Sequence, residues 1–278
     1  MEETSDSLFL NAWYLDIVSP NWAAVVWGEY DSAFPIPVVT KAGIKQVIQP
    51  IFTREFKVLG KNQSTTNLLT FLTSSYKNVN LRLPATESKF DFTLRSHQYI
   101  NLDDHFESNY SKNAKRLIKK GNNIFTFKVI GDLDEFFKLI SDTLVGKIEQ
   151  FTADNVAILK QLMSAAIMSD NGECIAIYDR SEKFQGAGFF LKNQSRITYL
   201  KSAASETAKK NGAMYALINF ALNKYNENYS VFDFGGSEIE AVAAFYHKFG
   251  AINRSYNHYV FNKLPFWYRW LKKIRLKK

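Results

Sequence analysis

The sequence predicts an α/β chain of two successive halves, each alternating strands with helices. Three observations carry that reading. Residues 173–178, 185–191 and 196–203 are apolar runs joined by short polar turns, the spacing of an antiparallel meander. Residues 207–226 then read as a helix with Ala213, Leu217, Ala221 and Tyr225 on one stripe. Finally, Phe232-Asp233-Phe234-Gly235-Gly236-Ser237 reads as a buried strand that stops at a Gly-Gly-Ser corner. It feeds a helix over 237–249, with Ile239, Val242, Phe245 and Phe249 at helical spacing and Gly250 as its left-handed terminator.

The other elements follow in order. Residues 11–18 form a short helix before Pro20, and 23–27, 33–39 and 45–49 form strands. Pro35 and Pro37 remove backbone donors, so the second of these lies at an edge or is irregular. A helix is expected over 65–75, strands over 79–83 and 90–100, and a polar helix over 103–120 capped by Gly121. The second half opens with a strand over 124–130 and helices over 133–145 and 153–168, bounded by Gly146 and Asn171-Gly172. A last strand covers 256–261. Val25–Asp31 and Cys174–Asp179 both precede a returning strand of small and apolar residues, a weak sign of duplication. Trp13, Tyr14, Trp22 and Trp27 are expected in the core of the first half.

Bulk properties narrow the class. The chain has 278 residues, 46% of them hydrophobic and 15% aromatic, which implies a large core rich in Phe and Tyr. No run approaches the ~18 apolar residues of a membrane span. The acidic start lacks the basic region and apolar run of a signal peptide, and Cys174 is the only cysteine, so a cytoplasmic location is expected. The net charge of +8 is concentrated in two places. One is the tail 266–278, with six Lys and Arg and no acid; the other is Lys112, Lys115, Arg116, Lys119 and Lys120. His97, His105, His247 and His258 show no metal-ligand spacing, so no metal site is expected. Cys174, among Ile175, Ala176 and Ile177, reads as a buried small apolar residue.

The meander, helix and strand of 173–250, with the ending Tyr246-His247-Lys248-Phe249-Gly250, resemble the core of the GNAT-type acyltransferases. In that fold the helix after the meander holds the pyrophosphate of acyl-coenzyme A on its N-terminal amides. The matching stretch is Ser205–Met214, where the signature positions are Lys209, Gly212 and Met214. The glycine fits; Lys209 and Met214 depart. Two GNAT-like halves, this degenerate loop and the Asp-Phe-Gly-Gly-Ser strand end resemble the Fem-type aminoacyl transferases. The basic stretch Asn109–Arg116 is also similar to the segment linking the halves in that group. The resemblance implies transfer of an amino acid from aminoacyl-tRNA to an amine.

The expected site follows from that resemblance. Tyr246 would be the general acid and Asp233 would orient the incoming amine. Against these stand a Tyr246 that only packs and an Asp233 that anchors a turn. Lys209, Asn211, Gly212, Ala213, Tyr199, Lys201 and Lys248 would bind the donor, with Thr198 secondary. Ser237 caps the following helix, with Glu240 completing a capping box.

The expectation is therefore an α/β (α+β) protein of tandem GNAT-like halves, each a mixed, mostly antiparallel sheet flanked by helices. Its divisions would be 1–121, 122–264 with the donor site, and a basic amphipathic tail over 265–278. The activity would be acyl or aminoacyl transfer to an amine, from acyl-CoA or aminoacyl-tRNA, with no permanently bound cofactor and no DNA partner. The tail, with Trp267, Trp270, Leu271 and Ile274 on one face, would lie on an anionic membrane surface at the inner face, dock on the protein, or meet RNA phosphates through its Lys and Arg. The reading from a different class is a catalytically degenerate GNAT-like module that binds or scaffolds at the membrane.

Overall fold

The computed structural model describes residues 7–60, 64–103, 105–144, 146, 152–235 and 239–268. In chain order the elements begin with α1 (Ala12–Val18), β1 (Ala23–Trp27), β2 (Ser32–Ile36), β3 (Val38–Lys41), β4 (Ile44–Ile48) and β5 (Leu59–Gly60). Then come α2 (Thr65–Ser75), β6 (Asn78–Pro84), β7 (Thr93–Asn101), α3 (Lys112–Asn122), β8 (Phe125–Ile130), α4 (Asp134–Leu144) and α5 (Ala153–Met168). The remainder are β9 (Gly172–Asp179), β10 (Phe184–Asn193), β11 (Arg196–Ala204), α6 (Glu206–Lys210), α7 (Ala213–Tyr225), β12 (Val231–Asp233), α8 (Glu240–His247) and β13 (Ile252–Asn262). Among the described residues no helix is long and apolar enough to cross a membrane.

The chain divides into two compact units: Ser96–Arg254, and the segments before Ser96 and after Arg254. In the latter unit β1 pairs antiparallel with β2, and β3 with β4. Strands β2 and β3 are one run interrupted at Pro37, which is the irregularity that Pro35 and Pro37 predict. Strand β4 runs parallel to β6 through Val47↔Val79, and β6 pairs antiparallel with β13. Phe34, Phe56, Leu68, Leu69, Leu72 and Leu81 fill this core. Trp22 and Trp27 pack on it half-buried, and Tyr14 is fully buried.

In the Ser96–Arg254 unit, β9, β10 and β11 form the expected antiparallel meander, and β8, two helices earlier in the chain, adds antiparallel to β9. Strand β11 is parallel to β12, and β12 is antiparallel to β7. Both units thus share an antiparallel strand pair, a helix and then a strand parallel to the last of the pair (β4–α2–β6 and β11–α7–β12), each with one antiparallel neighbour, β13 or β7. This is a tandem GNAT-like α/β fold.

Three helical expectations are corrected by packing. The stretch 103–120 is not one helix: a 3-10 turn, Phe106–Asn109, precedes α3, whose start is fixed by Ser111 accepting from Ala114 N–H at 3.1 Å. Gly121 lies inside α3 rather than capping it. A Cβ there would sit 2.7 Å from Ala216 Cβ and 2.7 Å from the Gly212 carbonyl oxygen, so the glycine permits close approach of α3 to α7. The stretch 207–226 breaks at Asn211-Gly212 because Gly212 takes φ +83°, which ends α6 and starts α7.

On α8 the buried residue is Tyr246, with Phe249 buried just beyond the helix, while Ile239 is 58% exposed. Gly250 has φ +79°, as a helix terminator requires. The predicted corner at Gly236 and the Ser237 cap lie outside the described residues. So does the tail beyond Tyr268, including Trp270, Leu271 and Ile274. Tyr268 itself is buried and accepts from Gln46 Nε2 at 2.7 Å.

Candidate active site

The site is organised by the way β11 and β12 part. The parallel pairing covers Arg196↔Val231, Ile197↔Phe232 and Thr198↔Asp233, and then β12 ends. Strand β11 continues to Ala204 with its other edge still paired to β10. Along that edge Phe190 faces Tyr199 and Phe189 faces Lys201, so Leu200 is an extra residue in a β-bulge. A bulge bends the strand and re-aims its side chains. The result is a wedge between the second half of β11 and the turn that leaves β12, narrowed where Gly235 packs against the Tyr199 carbonyl.

Asp233 closes the narrow end of this wedge. It is fully buried, and its Oδ2 accepts from Arg196 Nη1 at 2.8 Å. Its Oδ1 accepts from Gly235 N–H at 2.9 Å, and Gly235 takes φ +76° against the Tyr199 carbonyl. Asp233 therefore anchors the turn and neutralises Arg196. Thr198, buried, lies opposite it in register.

Aromatic rings form the wall. Tyr199 stacks on Phe190 with centroids 5.3 Å apart, and its hydroxyl donates to Ser202 Oγ. Tyr246 stacks on Phe234 at 4.4 Å and meets Tyr199 edge-on at 6.5 Å. Among the described residues the Tyr246 hydroxyl has no hydrogen-bond partner. Burial, and then the negative charge of Asp233, push its pKa well above that of free tyrosine. Tyr246 is thus held as a neutral phenol. Lys201, beyond the bulge, behaves oppositely: burial brings its pKa down to about 8.

The turn in the stretch expected to hold a pyrophosphate packs closely on α3. Gly212 and Ala213 are buried, and a Cβ on Gly212 would come 2.5 Å from the Leu117 carbonyl oxygen of α3. Lys209 Nζ is engaged by Glu206 at 2.8 Å, and Asn211 Nδ2 donates to Thr207 O at 3.0 Å. Lys248 Nζ donates to Tyr215 Oη at 3.1 Å and lies over that ring. The structure therefore gathers Tyr199, Asp233 and Tyr246, with Lys201 on the same strand as Tyr199. Lys209 and Asn211 lie on and just after α6, and Lys248 is tied to α7.

The sequence reading did not single out Arg196, Ser202 or Tyr215. A buried strand aspartate signals the need for a counter-charge, but not that Arg196 supplies it. Cys174 is fully buried and its thiol is pushed up to about 12, fitting its apolar reading. His247 Nδ1 contacts Ala251 O at 2.7 Å. Among the described residues no group of three or more His, Cys, Asp or Glu could hold a metal ion.

No protein-family model matches the chain, and no curated protein matches it in sequence. Solved structures match in fold. FemX is 9% identical with a TM-score of 0.62, over 90% of this chain and 91% of that one. The C-terminal domain of an Agrobacterium fabrum protein described as a lysylphosphatidylglycerol synthetase is 11% identical, with a TM-score of 0.59, over 94% and 89%. A tandem GNAT protein from the clavulanic acid biosynthesis pathway is 9% identical, with a TM-score of 0.53, over 89% and 85%. At these identities the likeness is one of fold: this chain has the Fem-like tandem GNAT fold.

Proposed function

We propose that this tandem GNAT fold is an aminoacyl- or acyltransferase that delivers its acyl group to an amine, with aminoacyl-tRNA as the donor. The choice of donor rests on one observation, the close packing of α3 on the turn at Gly212. A coenzyme A pyrophosphate needs the first N–H groups of the helix after the meander. Here Leu117 and Gly121 of α3 pack against that turn. The Fem-like fold and the lysylphosphatidylglycerol synthetase named for one neighbour support an aminoacyl donor.

In this reading the donor site lies in the Ser96–Arg254 unit. The donor carbonyl enters the wedge beyond Thr198 and is polarised by strand-edge N–H groups near the bulge at Leu200. The acceptor amine attacks directly, forming the amide C–N bond as the ester C–O bond breaks. Lys201, with a neutral fraction near pH 8, or a water takes the amine proton. Tyr246 gives its proton to the departing oxygen and recovers one from solvent. Asp233 positions this machinery through Arg196 and Gly235. Exposed Phe266 and Trp267, at the start of the basic tail, support work at a membrane surface, where a lipid-linked acceptor would reside.

A second reading, a binding module without turnover, is favoured by the internal engagement of Lys209 and Lys248. Isotope transfer separates the two. Labelled aminoacyl-tRNA incubated with the protein and a panel of peptide and lipid amines should yield label in an amide product, with acetyl-CoA giving none. Label from acetyl-CoA alone would overturn the donor assignment, and no transfer from either would favour the module.

A further inference from the structure

We infer that the outward face of α3 is the docking surface for the phosphate backbone of the donor RNA, an inference that rests on the aminoacyl-tRNA reading. Its residues Lys112, Lys115, Arg116, Lys119 and Lys120 are all exposed, and the helix contains no acid. At 100° per residue they fall within an arc of about 140°, opposite the buried Ala114, Ile118 and Gly121. Among the described residues none of the five is in an ion pair.

Helix stability does not account for this pattern. Lys112 is the first residue of the helix, at the end where the macrodipole disfavours cations. Lys112 and Arg116, Lys115 and Lys119, and Arg116 and Lys120 are like-charge pairs at i,i+4, each unfavourable by ~0.2–0.5 kcal/mol. A chain that keeps such repulsion on one face is complementary to a polyanion. The local rule is broken where a partner would mend it.

Placement supports the same partner. At the start of α3, Ser111 N–H donates to Lys248 O at 2.9 Å, two residues from Tyr246. At its end, Lys120 Nζ donates to Lys210 O at 3.4 Å, on the corner that follows β11. The basic helix therefore reaches from the α8 side of the wedge to the α6 side. Beside it lies a cleft of about 600 Å³ lined by Lys115, Lys119, Asn122, Asn219, Tyr110 and Glu107, whose amides suit sugar and base edges. Glu107 is the carboxylate there, and it accepts from Asn223 Nδ2 at 2.8 Å. A lipid surface fits less well: the apolar side of α3 is packed against α7, and nothing apolar on its outward face could enter a bilayer.

The test is fluorescence-anisotropy titration of labelled tRNA across a salt series. It compares the full chain, the double variant Lys115→Glu/Lys119→Glu, and Lys41→Glu/Lys45→Glu as a charge-matched control on exposed lysines of the other unit. The double variant should bind at least tenfold more weakly, with a log-log salt slope shallower by about 1.4–1.8, or ~0.7–0.9 per lost contact. The control should bind as the wild type. Thermal melts verify folding, and Lys115→Gln/Lys119→Gln replaces the charge reversal if that variant melts early.

In the transfer assay the double variant should raise KM for aminoacyl-tRNA while leaving kcat unchanged. It should match the wild type on a short aminoacylated RNA spanning only the 3′ end. Unchanged tRNA affinity in the double variant, an equal loss in the control, or loss of binding to phosphatidylglycerol vesicles with RNA binding intact would overturn the docking surface. If the variant loses tRNA but the wild type transfers nothing, docking stands and the transferase reading falls. If transfer proceeds with an unchanged KM, the reverse holds.

Discussion

Arg196 Nη1 meets Asp233 Oδ2 at 2.8 Å, with the carboxylate fully buried and the arginine side chain only 16% exposed. The pair joins the start of β11 to the end of β12, at the narrow end of the wedge. Removing one partner of such a pair strands a buried charge and destabilises by ~3–5 kcal/mol. Arg196→Ala should lower the free energy of unfolding by that amount, read as a lower urea midpoint at an unchanged m-value. A loss under 1 kcal/mol would mean that Asp233 is balanced by other groups.

Tyr246 is expected to divide fold from chemistry. Its ring is packed between Phe234 and Tyr199, but its hydroxyl has no hydrogen-bond partner among the described residues. Tyr246→Phe should therefore leave stability within ~0.5 kcal/mol. Turnover should fall ~100-fold or more if the phenol is the proton donor. Because its pKa is raised, wild-type activity should show no alkaline loss from this group below pH 10. Full activity in the variant would reduce Tyr246 to packing.

Gly212 carries both a left-handed conformation and a close contact. Gly212→Ala must tolerate φ +83° and a Cβ 2.5 Å from the Leu117 carbonyl. Left-handed strain of ~1–2 kcal/mol and overpacking of ~1–3 kcal/mol act together. The melting temperature should drop by several degrees. Gly121→Ala should act through the same α3–α7 contact, so the double variant should be non-additive.

Lys201 supplies a pH signature. Its folded pKa of about 8 lies below the unfolded value of 10.5, so the unfolded chain holds a proton that the folded chain releases between those limits. Stability then rises with pH through that window from this group. Urea midpoints at pH 8 and pH 10, compared between wild type and Lys201→Met, should show a gain for the wild type that the variant lacks. If Lys201 accepts the amine proton, the transfer rate should also climb with an apparent pKa near 8.

Much of the fold is legible in the sequence, and the failures share a cause. Helices α2 and α5 match their expected spans of 65–75 and 153–168 because cap and apolar content agree locally: Ser64 and Thr152 both cap through their side chains. The meander and the buried strand β12 are equally readable, whereas the parallel pairing of β12 is not. Gly121 and Gly212 were legible only as glycines. What they do depends on α3 meeting α7, a contact between residues far apart in the chain. The bulge at Leu200 leaves no mark in an apolar run, since register is set by the partner strand. Arg196 and Asp233 are 37 residues apart, so the buried aspartate could be flagged while its partner could not.

The most direct test of the account is calorimetric titration of the full chain with acetyl-CoA and, separately, with an RNA carrying an amide-linked, non-hydrolysable 3′ aminoacyl group. The close packing of α3 on the Gly212 turn and the basic α3 face together require saturable heat with the RNA analogue and none with acetyl-CoA up to millimolar concentration. Micromolar, saturable binding of acetyl-CoA with no heat from the RNA would contradict the account and make the chain a coenzyme-A-dependent acyltransferase.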